Sequence, residues 1–481
     1  MSLTTTTQTV VMKFGGTSVE DARAFERVAA LVRAERGRGA ARPVVVVSAM
    51  SRFTDALLKA FSHAAEGEGP AAVARLEEHF ARHAGVLREL LSEVGRDECE
   101  RARRELEEAL ADARSRIEAA FKEAGEAARP LPLLQDLVVS FGEQLSSRLL
   151  ALVLCARGVE ARQVDARRCI VTDDEHGRAN PLREETDRHT RERLLPVIEA
   201  GEVPVVGGFI ASSAATGETT TLGRGGSDFT AGLVGAALRS KEIQIWTDVS
   251  GVLTADPRVV PEARTIPRLS YAEAAELAYF GAKVLHPKTI LPAVVRHVPV
   301  RILNSRRTKG PETVVYFDAE MTPRTVKAIA HKTGVLIVHV TSARMLGAYG
   351  FLRAIFEVFE RHRTAVDIVT TSEVSVSLSL EDPARLDAIT EDLKHIAAVH
   401  VEPDRAIVCI VGEGLRATPG IAGRVFSTIR DINVLLISQG ASNINLTFVV
   451  EARHAEEAVR RLHAAFFECA TSELLSQIGG G

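Results

Sequence analysis

The chain has 481 residues, which at roughly 150 residues per domain predicts about three compact units. Apolar residues make up 46% of the chain and charged residues 25%, a balance that excludes a disordered protein. With 59 basic and 63 acidic side chains, the net charge of −4 is too small to drive binding to DNA or RNA, so we expect no nucleic-acid partner.

The cysteines and the N-terminus indicate the cellular setting. The five cysteines are odd in number and scattered, which argues against a disulfide framework or a zinc cluster and predicts reduced thiols. We find no run of about 18 apolar residues that would cross a bilayer. Residues 1–8 are polar and threonine-rich, unlike a secretory signal. We therefore expect a cytoplasmic protein that does not engage membranes.

Short runs rich in β-branched residues recur through the first part of the chain. They occupy residues 9–12, 43–47, 203–206, 242–246 and 299–303. Most are apolar on both faces, as expected for parallel strands that helices cover on each side. Helical patterns alternate with them, at residues 19–36, 227–238 and 271–280. This order predicts an α/β fold with a sheet sandwiched between helices.

A helical insertion interrupts this pattern at about residues 55–130. The segment is rich in Ala, Glu, Arg and Leu and poor in β-branched residues, which predicts a long helical hairpin. His79 and His83 lie one helical turn apart and would suit a shared metal, but the glutamate of a zinc-protease motif is missing between them. We favour a solvated helical face here and expect no metal site.

The C-terminal part contains two similar segments. Residues 334–341 and 405–411 each begin a strand, followed by a glycine-led helix and further strands, with an offset of about 70 residues. The β-α-β-β order predicts two ferredoxin-like modules.

The first strand ends in a glycine-rich turn, residues 13–18, that leads into a helix. Gly15 and Gly16 would let the backbone approach an anion closely, and Lys13 would supply a compact positive charge. The alternative is a tight turn with a solvated lysine.

A second glycine-rich turn, residues 219–228, also leads into an apolar helix. Arg224 could bind a carboxylate, while Gly225 and Gly226 expose amides and Ser227 and Asp228 could cap the helix. A capped turn with a surface arginine is the alternative. Two anion-binding turns in one α/β unit favour phosphoryl transfer between an anionic donor and an anionic acceptor.

Three further positions are candidates for ligand contacts. Thr247 and Asp248 end the fourth predicted strand, where ligands of open α/β sheets collect. Glu143 lies in an otherwise apolar helix and needs a partner. A substrate ammonium or a neighbouring arginine would serve, and the residues alone favour the arginine.

Together these motifs resemble those of the aspartate kinases, of the amino-acid kinase superfamily. The matching segments are residues 13–19, 140–143, 223–228, 246–248, 256–258 and 280–287, in the order typical of that family. The second half resembles the family's paired ACT modules, and residues 371–376 and the long insertion resemble its lysine-sensitive class. The resemblance implies the amino-acid kinase fold, a mainly parallel sheet sandwiched by helices, at residues 1–320. ACT modules would follow at residues 321–402 and 403–481.

The resemblance implies transfer of the γ-phosphoryl group of ATP, bound with Mg²⁺, to the side-chain carboxylate of L-aspartate. The product, 4-phospho-L-aspartate, begins lysine, threonine and methionine biosynthesis. Lys13 would stabilise the transferring group and Asp228 would orient that lysine. The residues implied to hold aspartate are Ser48, Thr54, Glu143, Arg224, Gly225, Gly226 and Ser227. Those implied to hold ATP are Lys13, Phe14, Gly15, Gly16, Thr247, Asp248, Leu253, Arg258, Lys283 and Val284.

The resemblance also implies feedback by lysine bound to the first ACT module. The implied effector residues are Met345, Ala348, Gly350, Phe351, Leu352, Val366, Asp367, Ser372 and Glu373. Ala348 stands where the family has a serine, and one lost hydroxyl contact would weaken an effector by about 1 kcal/mol, so we expect altered feedback. The family's usual glycine within residues 50–52 is also missing here.

ACT modules usually pair across subunits, so the resemblance implies a homodimer or a dimer of dimers. Two alternatives to the aspartate kinase activity remain: a kinase for another small acid, such as acetylglutamate, and a catalytically silent amino-acid sensor. The ACT-like modules disfavour the first, and the presence of Lys13, Arg224 and Asp228 together disfavours the second.

Overall fold

The computed structural model describes residues 8–39, 41–91, 95–281, 285–317, 326–347, 349–440 and 442–468. Lys283, Val284 and Ala348 lie outside the described residues. The chain forms two compact units, the first made of Met1–Val252, Pro267–Tyr271 and Val284–Ala319, and the second of Leu253–Ile266, Ala272–Lys283 and Glu320–Gly481. Two segments before residue 284 thus group with the C-terminal region, and the expected boundaries at residues 320 and 402 stay predictions.

The first unit is built on an eight-stranded sheet in the order β3-β5-β2-β1-β8-β10-β11-β9, with a small sheet β4-β6-β7 beside it. The strands are β1 (Thr9–Phe14), β2 (Arg42–Val47), β3 (Ala161–Val164), β4 (Val171–Thr172), β5 (Val203–Gly207), β6 (Ile210–Ser213), β7 (Thr219–Thr221), β8 (Glu242–Thr247), β9 (Arg268–Ser270), β10 (Val300–Asn304) and β11 (Thr313–Tyr316). Pairing in the large sheet is parallel except between β10 and β11. The five predicted strands correspond to β1, β2, β5, β8 and β10, which confirms the α/β fold.

The helices of the first unit are α1 (Ala22–Gly37), α2 (Phe53–Ala65), α3 (Gly69–Ala74), α4 (Glu77–Leu90), α5 (Arg96–Gly125), α6 (Leu131–Ala156), α7 (Arg183–Glu199), α8 (Gly226–Leu238) and α10 (Pro287–Val294). Of these, α1, α6, α7, α8 and α10 pack on the large sheet. The helix α9 (Tyr271–Tyr279) belongs almost entirely to the second unit. The predicted helical hairpin was wrong, because α2, α3, α4 and α5 share the insertion. Gly67, with φ +95°, follows the end of α2 and turns the chain. The expected solvated face was also wrong, since His83 is fully buried.

The helix α6 is the longest apolar helix of the first unit's core. By length and composition it could cross a membrane, a possibility that the sequence analysis did not identify. However, 78% of its most apolar window is buried within the protein. It packs on α2 and α5 and contributes Val138, Leu145 and Leu149 to the core. We therefore assign α6 to the protein core.

The second unit contains a six-stranded antiparallel sheet in the order β13-β14-β12-β15-β17-β16. The strands are β12 (Ala328–Thr341), β13 (Val369–Thr371), β14 (Ser375–Leu380), β15 (Ala398–Val411), β16 (Leu436–Gln439) and β17 (Asn445–Glu451). The helices are α11 (Phe351–Arg361), α12 (Leu386–Lys394), α13 (Ile421–Thr428) and α14 (Ala455–His463). Each of the two ferredoxin-like modules has its own apolar core.

The two modules share their central strands. The predicted strands at residues 335–340 and 407–411 are only halves of β12 and β15, which pair with each other along most of their length. The first half of β12 pairs with the second half of β15, which also pairs with β17 of the second module. The first half of β15 pairs with the second half of β12, which also pairs with β14 of the first module. The sequence repeat concealed this exchange, because each half alone has the length of an ordinary strand.

Close packing of α8 on α10 yields a first prediction. A Cβ at Gly232 would lie 2.3 Å from the Thr289 carbonyl oxygen, so we expect Gly232→Ala to lower the free energy of unfolding by about 1–3 kcal/mol. Urea unfolding followed by the fluorescence of Trp246, the single tryptophan, would report on this unit. Gly85→Ala in α4 is the matched control, since nothing lies within 4 Å of its Cβ, and it should leave stability unchanged or raise it. Equal stability of Gly232→Ala and the wild type would contradict the prediction.

Candidate active site

A cavity of about 480 Å³ opens at the carboxyl ends of β1, β2 and β8 in the first unit. Its lining brings together both glycine-rich turns, the loop after β2 and the middle of α6. The lining residues are Lys13, Gly15, Gly16, Thr17, Ser48, Ala49, Met50, Ser51, Arg52, Thr54, Asp55, Glu143, Phe209, Gly223, Gly225, Gly226, Ser227, Asp228, Thr247 and Asp248. Strand ends of open parallel sheets are where such folds bind ligands.

An ion pair joins the two glycine-rich turns. Lys13 is in β1, only 8% exposed, and its Nζ lies 2.6 Å from Oδ1 of Asp228 in the first turn of α8. The turn after Lys13 is anchored by a hydrogen bond from Gly15 N to the Trp246 carbonyl oxygen, 3.2 Å. A buried ammonium that is both paired and at a cavity wall can stabilise charge on a bound anion.

The second glycine-rich turn depends on the lack of side chains. Gly225 has φ +75° and immediately precedes α8, and a Cβ at the buried Gly226 would lie 2.7 Å from the Phe209 ring. The helix α8 therefore begins at the cavity wall, and a helix N-terminus suits an anion. Arg224 is exposed and is not among the lining residues, although Gly223 and Gly225 are, so its contact with a carboxylate stays a prediction.

Glu143 is the most unusual group in the cavity. It is 3% exposed, and its Oε1 accepts a hydrogen bond from Ala49 N at 3.1 Å, while Oε2 has no hydrogen-bond partner. Burial raises the pKa of this carboxyl to about 8. The arginine partner favoured from the residues alone was wrong, because no basic residue described in the structure pairs with Glu143. A buried carboxylate with a free oxygen at a cavity wall suits a cationic ligand group.

Asp136 is a functional residue that the sequence analysis missed. It lies two turns before Glu143 on α6 and is 1% exposed. Its carboxylate accepts hydrogen bonds from Gly177 N at 2.9 Å and from Thr221 Oγ1 at 2.6 Å, and it contacts His176 Nδ1 at 3.0 Å. This network supports the start of the second glycine-rich turn. An acidic residue at helical spacing from Glu143 was the available signal.

The loop between β2 and α2 forms one wall of the cavity. The Ser48 carbonyl oxygen accepts a hydrogen bond from Ser146 Oγ at 2.7 Å, which ties the loop to α6. Ser48 and Thr54 both line the cavity, and their contact with aspartate stays a prediction. Arg52, in the segment where a glycine was expected, has φ +68°. The left-handed turn is thus made without a glycine.

The predicted ATP residues separate into three groups. Thr247 and Asp248 line the cavity with Gly15 and Gly16. The Phe14 ring is fully buried and stacks on Trp246, with ring centroids 6.2 Å apart, so only its backbone is left to contact a ligand and its role in ATP binding stays a prediction.

Two more predicted ATP residues, Leu253 and Arg258, belong to the second unit. Arg258 pairs with Asp256 at 2.6 Å, and this contact lowers the pKa of the aspartate. With Lys283 and Val284, which the structure does not describe, their nucleotide contacts stay predictions.

Comparison with known proteins agrees with this geometry. The model of the amino acid kinase family matches residues 8–304, and an ACT domain model matches residues 408–466. This chain belongs to the amino acid kinase family and, within it, to the aspartokinases. Lysine-sensitive aspartokinase 3 of Escherichia coli is 36% identical over 95% of this chain and 99% of its own length. Aspartokinase 3, chloroplastic, of Arabidopsis thaliana is 38% identical over 98% of this chain and 84% of its own.

Solved aspartokinase structures match as well. The crystal structure of E. coli aspartokinase III in complex with aspartate and ADP, the R-state, has a TM-score of 0.78 at 35% identity and covers 96% of this chain and 100% of that one. The T-state complex of the same enzyme with lysine and aspartate has a TM-score of 0.77 at 36% identity, over 95% and 99% of the two chains.

The described effector candidates of this aspartokinase fall in two parts of the first ACT module, one at the start of α11 and one on either side of β13. Gly350, with φ +80°, precedes α11, and Phe351 begins it. Met345 and Val366 are half-buried, whereas Leu352, Ser372 and Glu373 are exposed. Asp367 accepts a hydrogen bond from the Tyr279 hydroxyl, and burial raises the pKa of this aspartate. Its second oxygen, Oδ2, is buried without a hydrogen-bond partner.

The raised pKa of Glu143 predicts a pH dependence of stability. The unfolded carboxyl ionises near its ordinary pKa of 4.5 and the folded one at about 8, so between these values the native state holds the extra proton. Ligand-free protein should therefore lose stability as the pH rises through this window, by up to about 1.4 kcal/mol per pH unit from this group. Glu143→Gln should not show this loss. Urea unfolding by Trp246 fluorescence from pH 5 to 8 tests this, and a stability gap between the two proteins that stays constant with pH would contradict it.

Proposed function

We propose that this aspartokinase transfers the γ-phosphoryl group of ATP to the β-carboxylate of L-aspartate and forms 4-phospho-L-aspartate, the first step of lysine, threonine and methionine biosynthesis. The proposal depends on one observation: a single cavity contains both groups that suit anions and a group that suits a cation. The Lys13–Asp228 pair and two glycine-rich turns suit anions, and the buried carboxylate of Glu143 suits an ammonium. An amino acid with a second carboxylate, bound beside a nucleoside triphosphate, supplies both the anionic groups and the ammonium that this cavity suits.

The transfer itself needs positioning and charge neutralisation. A β-carboxylate oxygen attacks the γ-phosphorus, the bond from that phosphorus to the β–γ bridging oxygen breaks, and its electrons leave with ADP. Lys13 stabilises the negative charge on the transferring group, and Asp228 holds the lysine at the junction of β1 and α8. The amide of Gly16, in the first glycine-rich turn, supplies a further donor at the same wall.

Aspartate is held on the side of the cavity formed by α6 and the loop after β2. Its ammonium pairs with Glu143, which favours the ionised form of that carboxylate and lowers its pKa from the ligand-free value. Ser48, Thr54 and Ser227 supply hydroxyl groups, and Arg224 meets the α-carboxylate from the rim. Glu143 is the residue that selects an amino acid over a simple dicarboxylate. A dicarboxylate has no ammonium group to pair with the free oxygen of Glu143.

The nucleotide lies toward Thr247 and Asp248. Asp228 and Asp248 line the cavity and would hold Mg²⁺, because their carboxylate oxygens are the ligands that this ion prefers. When bound, the ion would offset phosphate charge. Leu253, Arg258, Lys283 and Val284 complete the proposed nucleotide site.

The activity is tested by incubating the protein with ATP, Mg²⁺, L-aspartate and hydroxylamine, which converts the acyl phosphate to aspartyl hydroxamate. We expect hydroxamate from the wild type and a loss of about 100-fold or more in kcat for Lys13→Met, since one cationic donor is removed. Lys59→Met, on the exposed face of α2, is the control and should keep full activity.

Two outcomes would contradict the proposed activity, and a third would contradict the proposed role of Lys13. Hydroxamate from acetylglutamate but not from aspartate would indicate a kinase for another acid. Amino-acid binding by calorimetry without any product would indicate a silent sensor. Full activity of Lys13→Met would remove the lysine from the mechanism.

We further propose that lysine inhibits the enzyme by binding the first ACT module at Met345, Ala348, Gly350, Phe351, Leu352, Val366, Asp367, Ser372 and Glu373. The buried, incompletely satisfied carboxylate of Asp367 supports this, because an amino-acid ammonium would complete its bonds. A ligand that prefers one of two states of such a module can change the activity of a distant site. The enzyme is proposed to be a homodimer or a dimer of dimers, and to reside in the cytoplasm.

Dose-response curves of kinase activity test the effector. We expect lysine to inhibit, and Asp367→Asn to raise the half-inhibitory concentration by about 10-fold or more, because a charge-assisted contact is lost. Asp382→Asn is the control, since this exposed aspartate caps the turn before α12 and asparagine caps equally well. Activity that is unchanged up to millimolar lysine would contradict the proposal.

A further inference from the structure

Arg52 has an unusual backbone at a functional position. Its φ of +68° and ψ of −2° place it in the left-handed region, where a residue with a Cβ is strained. Among the described residues, the others besides glycine with positive φ are Ala127, Phe209, Arg239, His297, Arg363 and Asp404. Arg52 is the charged member of this set that lines the cavity. Strain of this kind persists where the surroundings enforce it, and it often serves function.

The helical insertion enforces the conformation of this loop. Arg82 of α4 donates from Nη2 to the Ser51 carbonyl oxygen at 2.7 Å. On the other side of Arg52, the fully buried Phe53 stacks on His79, with ring centroids 5.1 Å apart, and packs against His83 at 5.2 Å. The residues before and after Arg52 are therefore both fixed by α4.

The loop also lies against the first glycine-rich turn. A Cβ at Gly16 would meet the Ala49 carbonyl oxygen at 3.1 Å and the Ser51 Cα at 3.6 Å. The backbone just before Arg52 therefore touches the turn that exposes amides for an anion. Arg52 is exposed and lines the same cavity.

The charge of Arg52 is not neutralised by the protein. Within the described part of the chain it forms no ion pair, although the acidic Asp55 lines the same cavity. Lys13, the other basic lining residue, already pairs with Asp228. Burial lowers the pKa of Arg82, and the nearby charge of Arg52 adds to this effect, while the charges of Glu78 and Glu20 oppose it. A guanidinium at a cavity wall that has no ion-pair partner among the described residues becomes favourable once an anion arrives.

We propose that Arg52 is an anion-binding residue of the kinase reaction, and that the insertion holds it in a strained conformation at the cavity wall for this purpose. The anion is a group of one of the two reactants, either a phosphate oxygen of the nucleotide or a carboxylate of the amino acid. The proposal rests on the proposed function for the identity of these reactants. A planar guanidinium matches both groups by two parallel hydrogen bonds.

The test uses Arg52→Gly, which removes the guanidinium and relieves the positive φ. Its melting temperature should rise, because glycine adopts this conformation without strain. Its affinity for the reactant that Arg52 binds should fall by about 10-fold or more. Arg52→Lys keeps the charge but not the fork, and should lie between the glycine variant and the wild type in affinity.

Arg239→Gly is the matched control. Arg239 is also an exposed arginine with positive φ, +49°, but it follows α8 and does not line the cavity. Its replacement should raise the melting temperature as well and leave ligand affinity and kinetics unchanged. A structural role for Arg52 alone would make the two glycine variants behave alike.

The readouts are KM for ATP and for aspartate, together with calorimetric Kd values for ADP and aspartate. A rise in the Kd for ADP and the KM for ATP alone assigns the contact to phosphate. A rise in the Kd and KM for aspartate alone assigns it to carboxylate. Values for Arg52→Gly within about 2-fold of the wild type for both reactants would overturn the proposal. The Kd values do not require turnover, so a wild type that binds both ligands without forming product would refute the proposed function and still test Arg52.

Discussion

The ion pair between Lys13 and Asp228 is the contact on which the active site depends. It joins the end of the central strand β1 to the first turn of α8, and so it holds the two glycine-rich turns at one edge of the sheet. Parallel strands make this possible, because their carboxyl ends meet on the same side although residues 13 and 228 are far apart in the chain. Gly232 and Gly235 let α8 pack closely on α10 and on Ile243 of β8, which fixes the aspartate at the position the lysine requires.

Glu143 shows the opposite arrangement, a charge left without a partner. Full pairing of the cavity by its own side chains would stabilise the fold but would leave nothing to recognise a ligand. The protein satisfies one oxygen of Glu143 with Ala49 N and leaves the other without a hydrogen-bond partner. The destabilisation of the ionised carboxylate is then relieved by a bound ammonium, so part of the folding free energy is exchanged for selectivity. Asp136 on the same helix is instead fully engaged, which distinguishes a supporting carboxylate from a binding one.

The sequence predicted features that depend on local chemistry and missed those that depend on packing. The five central strands and the turns at Lys13 and Gly225 follow from hydrophobic runs and glycine positions, and the structure contains them. The partner of Glu143 was misjudged because an acidic residue in an apolar helix looks the same whether an arginine or a ligand completes it. The long strands β12 and β15 were each read as half their length, since strand exchange between similar modules leaves no mark in either repeat. His83 was placed on a solvated face because polar type outweighed its helical phase.

The insertion therefore has a role that composition alone does not reveal. Its helix α4 carries His79, Arg82 and His83 on the face that contacts residues 51–53, while Glu77 at its start forms a salt bridge with Arg114 of α5. Burial lowers the pKa of His83 to about 4, so the imidazole stays neutral near physiological pH and packs against the Phe53 ring at a tilted angle. His83 also donates from Nδ1 to the His79 carbonyl oxygen at 2.7 Å, which locks the ring against rotation. Such a support can hold Arg52 in its left-handed backbone conformation, because contacts outside the cavity offset the conformational cost. No acidic side chain is then needed inside the cavity to hold Arg52, where it would compete with an anionic reactant.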